Sequence, residues 1–154
     1  MKRIVPLLIV VLSLVHCLAA ADQSFSHVKV PDANGKPVNA VLTFSDQRNA
    51  VEIHPLKGNA LTIPYRQIYK FSYEYTKRHR VSEGTLVTAP LGIGALMMLT
   101  KGRSHWLEIA YDNEQNIRKA YVLRMDKHEY LHILEAIKIH TGKDAEILGN
   151  ANKR

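Results

Sequence analysis

The stretch HEYLH, from His128 to His132, is the part of this chain whose residue types and spacing most directly suggest chemistry. It has the H-E-x-x-H pattern of zinc metallopeptidases, in which a helix places two histidines one turn apart on the metal. His128 and His132 would then be zinc ligands, and Glu129 would activate a metal-bound water. The pattern raises the hypothesis of a small zinc-dependent hydrolase.

The residues around this motif predict one amphipathic helix. Asp126 stands at the N-cap position and Glu129 follows three residues later, which is the arrangement of a capping box. The helix is expected to continue to about His140, and Gly142 supplies a left-handed stop. Its apolar residues recur at helical spacing and form one stripe: Tyr130, Ile133, Leu134 and Ile137. This stripe predicts that the helix packs against the rest of the fold.

The two motif histidines lie on the other side of the helix from this stripe. At about 100° per residue, His128 and His132 fall roughly 150–170° from its centre. Zinc-peptidase histidines instead face an enclosed cleft, where a third ligand arrives from further along the chain. Here the chain beyond offers only His140 and Glu146. We therefore predict solvent-facing histidines, no catalytic residue, no metal and no cofactor, and keep the zinc hydrolase as the alternative.

The first 21 residues have the pattern of a secretory signal peptide. Lys2 and Arg3 precede an apolar run, and the three alanines that end at Ala21 supply the small residues of a cleavage site. The run is short for a bilayer span, and no stop-transfer segment follows it. We therefore predict export to the periplasm or the exterior, with cleavage after Ala21 or nearby.

Cys17, the single cysteine, lies inside this signal. Lipoprotein anchoring through it is the less favoured alternative, because His16 stands where such signals have a small residue. Without Cys17 no disulfide can form, so the fold needs a packed core. Loss of Lys2 and Arg3 lowers the formal charge from +7 to +5. This basic balance favours an anionic membrane surface or another protein as partner and disfavours nucleic acid for an exported chain.

The rest of the chain predicts β-strands separated by turns. Seven segments have strand character: 25–30, 38–44, 50–54, 60–63, 66–75, 105–112 and 117–125. Within 66–75, Phe71 and Tyr73 share a face with Tyr75, whereas Ile68 has the opposite parity, which predicts a β-bulge. Seven strands followed by one helix predict a mainly β (α+β) sandwich or small barrel.

Residues 38–142 resemble a bacterial PH-like domain of the GRAM-related kind. AVLTFSDQRNAVEIHPLKGNALTIPYRQIYKFSYEY (40–75) is similar to the opening hairpins of that family. KGRSHWLEIAYD (101–112) and LRMDKHEYLHILEAIKIHTGK (123–143) resemble a version found in secreted bacterial proteins. The resemblance implies a seven-stranded antiparallel sandwich or partly open barrel capped by a C-terminal helix. It also implies a non-enzymatic binding or interaction module, since PH-like domains bind lipids, peptides or proteins.

The predicted organisation is a signal peptide (1–21), an N-terminal strand and linker (22–37), a PH-like domain (38–148) and a frayed tail (149–154). The domain contains an apolar inserted loop, 84–100, which is too long for a tight hairpin. An exposed tip flanked by basic residues would contact a membrane. The predicted contact set is Lys77, Arg78, Arg80, Leu91, Ile93, Leu96, Met97, Lys101 and Arg103. Burial of the loop in the core, which is slightly favoured, and a protein interface are the alternatives.

Overall fold

The computed structural model describes residues 21–32, 36–76, 86–87 and 102–148. Within these ranges the chain forms nine strands, one α-helix and a short 3-10 turn at Tyr65–Gln67. The strands are β1 (Gln23–Pro31), β2 (Pro37–Ser45), β3 (Ala50–Pro55), β4 (Leu61–Pro64), β5 (Ile68–Thr76), β6 (Leu86–Val87), β7 (Ser104–Asp112), β8 (Arg118–Met125) and β9 (Glu146–Leu148). The helix, α1, is Tyr130–Thr141. No helix in these ranges is long and apolar enough to cross a membrane.

The strands form one mixed sheet in the order β4-β3-β2-β1-β8-β7-β5-β9, with β6 pairing to β8 beside this path. Most neighbours are antiparallel, but β5 pairs with β9 and β6 with β8 in parallel. The sheet is not closed, because β4 and β9 end the path of described strands without pairing to each other. The protein is therefore mainly β with an open sheet and one C-terminal helix.

The seven predicted strands are all present, but the predicted count and the purely antiparallel arrangement are wrong. The two extra strands, β6 and β9, have only two and three residues. Strands this short cannot show an alternating pattern, and β9 lies beyond the predicted end of the helix. The strands also join into one sheet rather than the two separate sheets of a sandwich. The β-bulge is confirmed, since the register of β5 against β7 shifts between Ile68 and Lys70.

The core lies between the curled sheet and α1. On β2 and β3 it contains Leu42, Phe44 and Ile53, each with no exposed surface. Ile133 and Ile137 of α1 are equally buried, and Tyr130 and Leu134 pack partly buried against the same cluster. The predicted apolar stripe is therefore confirmed. Burial of each large aliphatic side chain contributes about 1.5–3 kcal/mol, which explains how a cysteine-free domain can be held by packing.

The beginning of α1 differs from the prediction. The helix starts at Tyr130, because residues 127–129 form a turn in which Asp126 Oδ1 accepts the His128 N–H at 2.8 Å. The capping box is not formed, since Glu129 directs its carboxylate to His27 of β1 instead. The helix end is confirmed. Gly142 has φ +67° and donates its N–H to Lys138 O at 3.0 Å.

Both faces of β7 are excluded from solvent. Leu107 and Ile109 point into the core. On the opposite face Trp106 and Glu108 are each only 1% exposed, and Trp106 Nε1 donates to Thr76 O at 3.1 Å. The predicted loop tip (Leu91, Ile93, Leu96 and Met97) lies outside the described residues. Its burial, membrane contact and protein contact therefore all stay predictions. The predicted tail, 149–154, and residues 1–20 also lie outside the described residues.

Candidate functional site

A cleft of about 300 Å³ lies where β1, the end of β5, the beginning of β7 and the end of β8 meet. The turn between β8 and α1 closes one side of it. We call this the basic cleft, after its charged lining residues: Lys29, Arg103, Arg124, Lys127 and Asp126. The remaining polar and aromatic lining residues are His27, Tyr75, Ser104 and His105. Because four separate segments of the chain supply these side chains, the fold creates the cleft.

Among the residues that the structure describes, four cationic side chains and one carboxylate line the basic cleft, which gives it an excess of positive charge. The carboxylate of Asp126 offsets only one of these four positive charges. The pKa of Asp126 is lowered, mainly because its carboxylate accepts the His128 N–H, so the group stays charged at neutral pH. Clefts lined by one sign of charge focus the field and attract counter-ions. The electrostatic character of the cleft therefore suits an anion.

Lys29 and Arg124 carry the clearest sign of an anion site. They are directly opposite each other at the register pair that joins β1 to β8. Like charges at directly opposed positions on adjacent strands are unfavourable. An anion between the two side chains would turn this repulsion into attraction. Binding of a negatively charged group in the cleft would therefore explain why two cations, Lys29 and Arg124, lie opposite each other.

Arg103 lies beside an aromatic residue of the same cleft. Its guanidinium carbon is 5.9 Å from the ring centroid of Tyr75, which is 42% exposed. A cation over an aromatic face gains about 0.5–1 kcal/mol at an exposed site, which favours this position of Arg103 while its N–H groups stay available to a ligand.

His105 forms an aromatic side of the basic cleft. Its ring stacks on Tyr130 with centroids 3.8 Å apart, and it lies 4.6 Å from the ring centroid of Tyr75. Its Nδ1 is 2.8 Å from the hydroxyl oxygen of Tyr73. Burial lowers the pKa of His105 and raises the pKa of Tyr73 to about 12. At neutral pH the imidazole is therefore neutral and the phenol keeps its proton.

His27 at the edge of the cleft pairs with the residue that precedes α1. Its Nδ1 is 2.6 Å from Glu129 Oε1, and its backbone N–H donates to Glu129 Oε2 at 3.3 Å. The hydrogen bond from the imidazole to Glu129 raises the pKa of His27, and the charge of Glu129 adds to this effect. The pair holds β1 to the beginning of the helix and so fixes one border of the cleft.

The structure does not bring the residues of the H-E-x-x-H pattern together around a common point. His128 and His132 are exposed, and Glu129 contacts His27. In the described part of the chain, no three His, Cys, Asp or Glu side chains are placed to hold a metal ion. The pattern therefore has no third ligand among these residues, and the zinc hydrolase stays an untested alternative.

Of the predicted contact set, Arg103 lines the basic cleft. The other members, Lys77, Arg78, Arg80, Leu91, Ile93, Leu96, Met97 and Lys101, lie outside the described residues. Sequence reasoning missed Lys29, Arg124 and His105, because they are far apart in the chain and isolated from one another. One feature of the sequence could have indicated part of the cleft: two basic residues, Arg124 and Lys127, stand at the junction between the last long strand and the helix.

A second polar cluster, at the far end of α1, has a structural role. The side chain of His140 is 2% exposed, and its Nδ1 is 2.9 Å from Asp46 Oδ1 in the turn between β2 and β3. The ring stacks on Phe44 with centroids 5.6 Å apart. Asp22 supports the same turn, accepting from Ser45 Oγ at 2.8 Å. These contacts join the helix end to the sheet.

No protein-family model matches this sequence, and no curated protein matches it. Among solved structures, the chain is similar to the structure of the Spt16D Pob3N heterodimer, with a TM-score of 0.47 and 13% sequence identity. The match covers 88% of this chain and 60% of that chain, so this protein spans less than two thirds of its length. A likeness this weak carries no argument about function.

Proposed function

We propose that this chain is an exported, non-enzymatic binding module of the PH-like kind, whose basic cleft takes the anionic headgroups of a membrane surface. The observation that carries the proposal is the opposition of Lys29 and Arg124 inside a cleft with four cations and one carboxylate. The mainly β open sheet with one C-terminal helix supports the PH-like assignment.

A membrane surface is favoured over a free small anion because of where Arg103 lies in the sequence. It follows an apolar segment that is flanked by further basic residues, Lys101 after it and Arg78 before it. Basic residues near an anionic lipid surface contribute about 1 kcal/mol each. The cations of the cleft and the basic residues that flank the apolar segment in the sequence would together give binding that no single contact could provide.

Co-sedimentation with lipid vesicles tests the proposal. The chain without residues 1–21 should sediment with vesicles that contain phosphatidylglycerol and should ignore vesicles of phosphatidylcholine alone. Binding should weaken as salt is added, because exposed charges are screened over about 10 Å at 0.1 M ionic strength. Equal binding to the two vesicle types, or none to either, would contradict the proposed function.

A double charge reversal locates the binding surface. Arg103→Glu combined with Arg124→Glu should reduce affinity for the anionic vesicles by 30-fold or more, since loss of two cations costs about 2 kcal/mol before repulsion is added. The matched control is Arg118→Glu, at the other end of β8 and about 20 Å along the strand from Arg124. Equal losses in the control would place the contact elsewhere.

A further inference from the structure

We infer that His105 is a proton-dependent ligand of the anion in the basic cleft, so that the cleft takes up one proton when it binds. This inference rests on the proposed function and concerns the regulation of the same site. It makes membrane binding tighter in acidic surroundings.

The geometry of His105 leaves one ring nitrogen available to the cleft. Nδ1 is occupied by the hydroxyl of Tyr73 at 2.8 Å. Because the side chain belongs to the cleft lining, Nε2 is the nitrogen that a bound anion can contact. Neutral imidazole with Nδ1 as acceptor carries its proton on Nε2, so it can already donate one hydrogen bond to the anion. Protonation adds a full charge to that contact.

The groups around the ring oppose its protonation while no anion is bound. Burial disfavours the charged form. The ring also shares the cleft lining with four cations, and like charges in one cleft disfavour a further positive charge. Asp126 favours the charged form but has the weaker influence. Three tyrosines contact the ring: Tyr73 and Tyr75 from β5 and Tyr130 from α1. The other titratable and charged groups of the cleft lining are His27 and Lys29 from β1, Arg103 from the chain before β7, Arg124 from β8, and Asp126 and Lys127 from the turn before α1.

A bound anion reverses this balance. Its negative charge lies among the cations that repel the imidazolium, and it offers an acceptor to Nε2. Tyr75 and Tyr130, which contact the ring, also favour a cation against their faces. The anion therefore raises the proton affinity of His105, and by linkage a proton on His105 raises the affinity for the anion.

The contact with Tyr73 survives the change of protonation state. In the neutral ring Nδ1 accepts the Tyr73 O–H, and in the charged ring Nδ1–H donates to the Tyr73 oxygen. Since the phenol keeps its proton in both states, only its hydroxyl orientation has to change. The contact between Nδ1 and the Tyr73 oxygen is therefore kept when the cleft gains a proton.

His27 is the other histidine of the cleft, and its behaviour should differ. Its partner Glu129 already stabilises the charged form at 2.6 Å and offsets the charge that is gained. Protonation of His27 is therefore stabilised by Glu129 whether or not an anion is bound. This difference makes His27→Gln the matched control for His105→Gln.

The test measures affinity for phosphatidylglycerol vesicles at constant ionic strength between about pH 8 and pH 5, a range in which histidine titrates and the phosphodiester does not. Wild type should bind more tightly as pH falls, by up to about tenfold per pH unit if one proton is taken up. His105→Gln should lose most of the pH dependence, whatever its affinity at high pH. His27→Gln should retain the dependence that His105 supplies.

A second measurement needs neither a variant nor a membrane. The ring resonances of His105 are followed against pH by NMR, with sodium sulfate or with sodium chloride at equal ionic strength. Sulfate should raise the apparent pKa of His105. An unchanged His105 titration, or a wild-type pH dependence that persists in His105→Gln, would overturn this inference while leaving the proposed function intact. Failure to bind vesicles at every pH would overturn the proposed function itself.

Discussion

The Nδ1 atom of His105 lies 2.8 Å from the hydroxyl oxygen of Tyr73. The two residues belong to adjacent strands, β7 and β5, and Tyr73 is 7% exposed. Tyr73 also stacks on Tyr130 of α1 with centroids 5.8 Å apart. One hydrogen bond therefore fixes the ring that forms the aromatic side of the basic cleft.

Tyr73→Phe should destabilise the fold while leaving its packing in place. The variant keeps the ring but removes the hydroxyl, so the part-buried Nδ1 of His105 loses its partner. A buried polar atom left unpaired costs about 1–3 kcal/mol, and urea unfolding monitored by Trp106 fluorescence would measure the change. Tyr75→Phe is the matched control, because Tyr75 is 42% exposed. Its free energy of unfolding should change by less than about 0.5 kcal/mol, and equal losses in both variants would contradict the assignment.

His105 should also make the fold less stable in acid. Its pKa is lowered in the folded state, mainly by burial, so the unfolded chain binds more protons in this range. The stability that the neutral ring contributes is present above the unfolded pKa of about 6.5 and is lost as pH falls below it. Melting temperatures at pH 7.5 and pH 5 should therefore differ more for wild type than for His105→Gln.

His27 should act with the opposite sign. Its pKa is raised by Glu129, so its contribution is present below about pH 6.5 and is lost as pH rises through the folded value. His27→Gln should therefore cost more stability in acid than at alkaline pH. If the stability lost in His105→Gln and in His27→Gln varied with pH in the same direction, the opposite pKa shifts of the two histidines would be contradicted.

The sequence predicted the long elements well, because their patterns are local. The seven strands, the bulge near Ile68 and the helix stop at Gly142 all follow from alternation, parity or backbone preference within a few residues. The beginning of α1 was not predictable in the same way. Glu129 had two available partners, and the tertiary contact with His27 replaced the local capping box.

The cleft could not be predicted because its residues have no common sequence pattern. Lys29 and Arg124 become neighbours only through the β1–β8 pairing, which joins strands from the two ends of the domain. Arg103 was predicted as a contact residue for its place beside the apolar segment, not for the Tyr75 ring that it faces. Sheet order decides which isolated cations share a surface, and local periodicity does not reveal sheet order.

Gly142→Ala should destabilise the end of α1. Gly142 has φ +67°, a conformation that costs a residue with a Cβ atom roughly 1–2 kcal/mol. No heavy atom lies within 4 Å of an added Cβ, so the cost would come from the backbone alone. Gly102→Ala is the matched control, because space is equally open there and the φ of Gly102 lies outside the left-handed region. Thermal unfolding should separate the two variants, and similar melting temperatures would contradict the strain argument.

The H-E-x-x-H pattern leads to the last prediction. Elemental analysis of the purified chain should find no stoichiometric zinc, because His128 and His132 are exposed and Glu129 contacts His27. The double variant His128→Ala and His132→Ala should change the melting temperature by no more than surface substitutions usually do, about 0.5 kcal/mol in free energy.

Glu129→Ala serves as the contrast, since it removes the partner of His27 at 2.6 Å and should destabilise the border of the basic cleft. Comparison of Glu129→Ala with the double histidine variant therefore tells whether the stretch 128–132 is a metal site or supplies a structural contact. If one tightly held zinc per chain were found and then lost in the double histidine variant, HEYLH would be a metal site. The binding-module proposal would then give way to the hydrolase alternative, because a metal that activates water has no role in taking a headgroup.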